Sequence, residues 1–310
     1  MLRRKRVPPR SALARLLVLV SLGLSGCQTQ KNAAAAAQQM SATAATLQAY
    51  YGSLLDLVDR TKEVQTAQAL ISKVPFDKEA VDLLDDEQAE LRKRAAMAGD
   101  IARVAALFAD ITNSGAPTDA AKAAGDLGKE IGSIKAFAGG NEADALKVTA
   151  AALVNVIKAR DDVKAAKLME PVASSLSVFF DKEVGSYVSF ANSYYLTAAS
   201  NTNALIDRDQ VTHTFLYRSS LQPFGLSPAI TDPTLRKGAV EGLKTRVQLR
   251  LADRQLRDQA AGTALSESLH VMRDRITLVA HHKEMRATLP PLTLEGVKAW
   301  VLEVKTDLGE

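Results

Sequence analysis

The stretch 240–279 reads VEGLKTRVQLRLADRQLRDQAAGTALSESLHVMRDRITLV. Leu265, Leu269, Met272, Ile276 and Val279 recur in it at spacings of four and three. Val240, Leu243, Val247 and Leu251 do the same earlier. That spacing puts apolar side chains on one stripe of an α-helix lying along a neighbour. Between the two stripes, Ala252 to Gln259 is polar except for Leu256. The pattern predicts a packed helix interrupted by a more solvated section. Asp232-Pro233 opens it, and Pro290-Pro291 stop it beyond Ala287. It is the longest helix the sequence predicts.

The rest of the chain reads the same way. Alanine is abundant, aromatic residues are only 5%, and period-two alternation of branched residues is scarce, which excludes a sheet. Pro75 separates a helix over about 41–73 from one over about 77–112. The run Asn113-Ser114-Gly115-Ala116-Pro117 closes the second. Shorter helices are expected over 119–137 and 142–169, parted by Gly139-Gly140. Pro171 suits the first turn of a further helix, or a kink, in a segment running to about Leu221. Pro223, Gly225, Pro228 and Pro233 make a turn-rich connection, and a terminal helix spans 293–307. The expectation is an all-α, elongated antiparallel bundle of about six to seven helices, two of them very long. At ~1.5 Å per residue those two would span roughly 70–80 Å unless they kink at Gly185 and Gly262.

The chain has one cysteine, Cys27, and it ends Leu24-Ser25-Gly26-Cys27. Before it lie six basic residues (Arg3, Arg4, Lys5, Arg6, Arg10, Arg15) and a short apolar run, Leu16 to Leu24. A basic start, an apolar run of about nine residues and small residues before a cleavage point make an export signal. A spanning helix needs about twenty. The four residues resemble the lipobox of bacterial lipoproteins. The resemblance implies a signal peptide over 1–26, cleavage before Cys27, and a diacylglycerol plus an N-acyl chain on that residue. It also implies location in the cell envelope. Gln28, where an Asp would favour the inner membrane, implies the outer membrane, facing the periplasm.

Removal of the signal changes the electrostatics. The chain carries 39 Lys+Arg and 35 Asp+Glu, with six of the basic residues and no acid before Cys27. The remainder has 33 against 35, a net charge of about −2. That balance offers no reason to expect nucleic acid as a partner. With no second cysteine, no internal disulfide is possible. Residues 27–45, rich in Gln, Thr and Ala, read as a lipidated tether that turns helical near its end. Residues 46–310 read as a single helical domain.

Four features could carry function. Arg246, Arg250, Arg254 and Arg257 fall near one helix face, and guanidinium groups there suit carboxylates or phosphates. An internal partner is open to them too: the acidic stretch Asp82, Asp85, Asp86, Glu87 and Glu90. Glu267 and His270 form an ExxH, and His281 with Glu284 an HxxE. The latter is similar to a motif of the imelysin family of helical envelope proteins. The glycine expected two residues earlier is Val279 here, and the motif sits near the other end of the chain. His270 and His281 are ~16 Å apart along a helix, too far to share one metal. No metal site is therefore assigned, and His270, His281 and Glu284 stay as weak candidates.

Phe179, Phe180, Tyr187, Phe190, Tyr194 and Tyr195 cluster after Pro171, and Phe180, Val184, Tyr187, Ala191, Tyr194 and Ala198 repeat at helical spacing, as a core stripe or a groove for lipid or peptide. The terminal helix is amphipathic through Leu294, Val297, Val301, Val304 and Leu308, with Trp300 at the border of the stripe. It contains no GxSxG, Walker loop, HExxH, GxGxxG, EF-hand loop or CxxC, nor does the rest of the chain. The reading is a non-enzymatic envelope lipoprotein that serves as a helical binding, scaffold or assembly factor. It would be held to the membrane by its lipid and meet an envelope protein, with no cofactor beyond the acyl chains. The alternative is a helical metal-binding or lipid-binding periplasmic protein.

Overall fold

A computed structural model describes residues 10–73, 75, 77–113, 162–208, 216–227, 239–281 and 294–309, with side chains from residue 33 onward. The described residues form five α-helices and no strand: α1 (Arg10–Ser72), α2 (Lys78–Asn113), α3 (Asp162–Arg208), α4 (Ala239–Ala280) and α5 (Glu295–Leu308). A π-helical turn, Tyr217–Leu221, and a 3-10 turn, Gln222–Phe224, lie between α3 and α4. The fold is an all-α bundle.

Cross-helix contacts set the directions. Lys62 pairs with Asp85, and Ser41 Oγ donates to the Ala102 carbonyl at 2.9 Å, so α1 and α2 are antiparallel. Glu170 meets His281, Asp181 meets His270 and Asp207 meets Lys244, so α3 and α4 are antiparallel over their whole length. The two hairpins pack with α1 parallel to α3. Tyr50 lies against Phe180, and Asn201 Nδ2 donates to the Val64 carbonyl at 3.0 Å. α5 runs beside α1 and α4, with Trp300 tilted on Tyr50 at 4.7 Å between ring centroids.

The core follows from these stripes. Tyr50, Tyr51, Phe180, Tyr187 and Trp300 meet edge-on or tilted at the middle of the bundle and are buried. Leu265, Leu269, Met272, Ile276 and Val279 are buried as the spacing predicts. In the earlier half of α4 Val247 is buried, while Val240, Leu243 and Leu251 are only partly covered; in the section expected to be solvated, 252–259, Arg254 and Asp258 are buried and most of the rest is exposed.

Several expectations need correction. Among the described residues the longest helix is α1, with 63 residues; α4 has 42. α1 passes through 27–45 without a break, and Ala33, Ala36, Ala37, Met40 and Ala44 are buried in the main core. From residue 33 on, that stretch is bundle, not tether; small side chains there let neighbours approach closely. Pro171 is neither a start nor an end: α3 runs through it. Met169, Val172, Ala173 and Leu176 are buried around it, and that packing outweighs the missing backbone donor. Residues 209–215, which precede the expected end near Leu221, lie outside the described residues. α4 is continuous through Gly262. A Cβ there would come within 2.8 Å of Val184 Cγ2 and 3.1 Å of Val188 Cγ2, so the glycine permits close approach of α3. The helices expected over 119–137 and most of 142–169 lie outside the described residues.

Candidate functional site

The four arginines of α4 do not act as one face. Arg246 and Arg250 are exposed and make no ion pair or hydrogen bond among the described residues. Arg254 is buried. Its Nη1 lies 3.1 Å from Glu303 Oε2, and its Nη2 lies 3.3 Å from Asp307 Oδ2 and donates to Tyr195 Oη at 2.6 Å. Its Cζ stands 4.7 Å over the Tyr195 ring. Arg257, half exposed, pairs with Asp253 at 2.8 Å and with Glu303.

The internal partner is therefore α5, not the acidic stretch of α2. That stretch is spent elsewhere or faces outward. Asp85 holds Lys62, Glu87 holds Arg94 and Glu90 holds Lys93, while Asp82 and Asp86 are exposed. A spacing of four places Glu303 and Asp307 on the flank of α5 that faces α4, beside Trp300. That spacing is in the sequence, but nothing local says that the terminal helix docks on the arginines.

These groups line a cleft of about 280 Å³ between α3, α4, α5 and the 3-10 turn. Tyr195, Pro223, Phe224, Arg250, Arg254 and Arg257 form one part, and Asp253, Glu303 and Asp307 supply the acids. Gly225 ends the 3-10 turn at φ 61°, and a Cβ there would lie 3.2 Å from Arg250 Nη1. The glycine thus permits both the left-handed backbone and the guanidinium resting on it. Three cations face three anions, so the cleft is largely self-neutralised.

Behind the cleft, Asp258 is buried and accepts a hydrogen bond from Trp300 Nε1 at 2.6 Å. Arg254 Nε is 3.7 Å away, and Asp258 Oδ2 has no partner among the described residues. Loss of hydration pushes its carboxyl up to about 6, against the pull of Trp300 and Arg254. Burial raises Asp307 as well, opposed chiefly by Arg254. Burial also raises the Tyr195 hydroxyl well above its ordinary value. At neutral pH the network holds charged acids that the protein interior disfavours, kept in place by Arg254.

A second buried arginine was not anticipated. Arg94 of α2 reaches Glu183 at 3.1 Å and Glu87 at 3.5 Å, and lies 5.5 Å from the Phe179 ring and 5.7 Å from the Tyr187 ring. It clamps α2 to α3 as Arg254 clamps α4 to α5.

The histidines are cross-helix contacts. His270 Nε2 lies 2.8 Å from Asp181 Oδ2, and its Nδ1 lies 3.3 Å from Ser177 Oγ. His281 Nε2 lies 3.4 Å from Glu170 Oε1. Each histidine thus meets one carboxylate of α3, with the same spacing of eleven on both helices. Ser177, His270 and Asp181 have the composition of a hydrolase triad, but Ser177 is fully buried and has no route to an acyl carbon. No group of three or more His, Cys, Asp or Glu gathers at metal-binding distance among the described residues. Glu284 lies outside them. The aromatic stripe of α3 is core: Phe180, Tyr187, Tyr194 and Tyr195 are all buried, with Tyr195 at the wall of the cleft.

Cys27 falls within α1, and its side chain is not among those described. No described helix is long and apolar enough to cross a membrane. No protein-family model matches the chain, and neither a curated protein nor a solved structure is similar to it.

Proposed function

We propose that the chain is a lipid-anchored protein of the cell envelope, on the periplasmic face of the outer membrane, that works as a helical binding or scaffold factor. The single observation that carries this reading is the position of Cys27. It is the only cysteine, it ends a lipobox-like run, and it stands on the helix that becomes the centre of the bundle. A lipid there is joined to the body by continuous helix. Two acyl chains bury enough methylenes, at ~0.8 kcal/mol each, for stable anchoring.

The body supports binding rather than turnover. Its two buried arginines, Arg94 and Arg254, are held in ion pairs between helices, and the cleft beside Arg254 is lined by charges that neutralise one another. Arg60 of α1 donates to the Leu308 carbonyl at 3.1 Å, which fixes the height of this cleft along α1. Cys27 is 33 residues earlier on the same helix, ~50 Å at helical rise. The arginines then face a partner in the aqueous space more readily than headgroups beside the anchor.

The test is Cys27→Ala, with acyl labelling and fractionation in the native envelope. Wild type takes up labelled palmitate and pellets with the membrane; the variant takes up none and is soluble. A variant that still pellets with membrane sinks the lipid-anchor reading.

A further inference from the structure

The cleft between α3, α4, α5 and the 3-10 turn is neutral overall, but its charges are not equally spent. Arg254 uses both ends of its fork, Nη1 on Glu303 and Nη2 on Asp307 and Tyr195. Arg257 uses both as well, Nη2 on Asp253 and Nη1 on Glu303. Arg250 makes no ion pair or hydrogen bond among the described residues. It lines the cleft with Asp307 and is near enough to draw that carboxyl down against burial, yet it does not pair with it. Its Nη1 rests instead at Gly225. On the acidic side, Asp307 commits Oδ2 to Arg254 and Tyr195, and Asp253 commits Oδ2 to Arg257. Each of the two carboxylates has a second oxygen with lone pairs to offer.

These open valences select a ligand. A guanidinium fork matches a carboxylate, and a carboxylate oxygen matches an ammonium. A simple anion drawn to Arg250 also meets Asp253, Glu303 and Asp307, and a simple cation drawn to the acids meets three arginines. A molecule that carries both charges and is neutral overall avoids either repulsion. The volume of about 280 Å³ lies at the small end of ligand pockets, which run from roughly 300 Å³ upward. Pro223 and Phe224 are buried, so the surface the cleft offers is chiefly charged. Arg254, only 7% exposed and held by α5, makes the inner wall rigid.

We infer that the cleft binds a free α-amino acid, with its carboxylate on Arg250 and its ammonium on Asp307 and Asp253. Arg254 and Arg257 hold the acids in place for it. This rests on the reading of the body as a binding module, and it is independent of the lipid anchor.

The test is calorimetric titration of the full, detergent-solubilised chain with the standard L-amino acids. Trp300 fluorescence is a second readout, because its Nε1 shares Asp258 with Arg254. At least one amino acid binds saturably, while acetate and methylamine, each carrying one of its two charges, bind at least about tenfold more weakly. Arg250→Gln weakens binding by at least about tenfold and leaves the denaturant midpoint unchanged, since Arg250 makes no pair within the fold. Arg246→Gln, one turn earlier and outside the cleft, leaves binding as it was. Binding by none of the amino acids overturns the site. Acetate binding as tightly as the amino acid overturns it too, as does an Arg250→Gln chain that binds like wild type. Displacement by glycerophosphoethanolamine as readily as by a second amino acid would make this a site for lipid headgroups and overturn the assignment. The bound amino acid is recovered unchanged; its consumption would sink the binding reading of the body and leave the ligand class standing.

Discussion

Asp258→Asn makes the chain more stable at pH 8 and leaves it little changed at pH 4. Asp258 is buried, held by Trp300 Nε1 and 3.7 Å from Arg254, with its carboxyl pushed up to about 6 from an ordinary 3.8. A folded-state value above the unfolded one means that folding favours the protonated acid. This contribution to stability is complete below about 4 and is lost as pH rises through 6. The difference of about two units corresponds to about 3 kcal/mol of stability missing at pH 8. Asparagine is neutral throughout and its carbonyl still accepts from Trp300, so the variant avoids that loss. Its extra amide donor lacks a buried partner, but the protonated acid carries a comparable donor, and the comparison at pH 4 measures any fixed offset. The assay is denaturant unfolding from pH 4 to pH 8, followed by fluorescence of Trp300, the only tryptophan and a direct reporter of α5. Asp307 is raised for the same reason and contributes slope of the same sign in both proteins, so the difference between them is the quantity read. Equal pH slopes in the two proteins would refute the assignment of a buried, desolvated carboxylate.

Trp300→Ala removes the tilted contact with Tyr50 and the donor to Asp258, and should lower stability by roughly 3–5 kcal/mol by circular dichroism. Gly262→Ala drives a methyl into Val184 and Val188 and should destabilise by about 1–3 kcal/mol, read as a lower denaturant midpoint. Gly185→Ala meets nothing within 4 Å in the middle of α3 and should stabilise by about 0.5–1 kcal/mol in the same assay. If the two glycine variants shifted the midpoint in the same direction, the packing account of Gly262 would fail.

Helix type was legible wherever local chemistry decides it. α2 begins within a residue of the expected start, where the Asp77 carboxylate accepts from the Ala80 N–H at 3.1 Å. α5 is similarly placed, because its apolar stripe is unambiguous. The length of α1 was not legible, since a run of alanine and glutamine looks too poor in bulk to pack. In the bundle that poverty is what lets helices close on it. Of the two readings of Pro171, a first turn or a kink, the first is overturned: the helix continues through it, with Met169, Val172, Ala173 and Leu176 buried around it. The arginine spacing was visible, but which of the four reach the cleft depends on where α5 docks. Only the folded chain brings Glu303 and Asp307 to Arg254.

The unbroken course of α1 makes it a ruler as well as a pillar. With the lipid on its first part, the number of residues between Cys27 and Tyr50 sets how far the body stands from the membrane, ~1.5 Å for each. A chain held by one lipid turns freely about the membrane normal, so the spacer fixes height and not heading. Its bland composition therefore conceals a constraint on length.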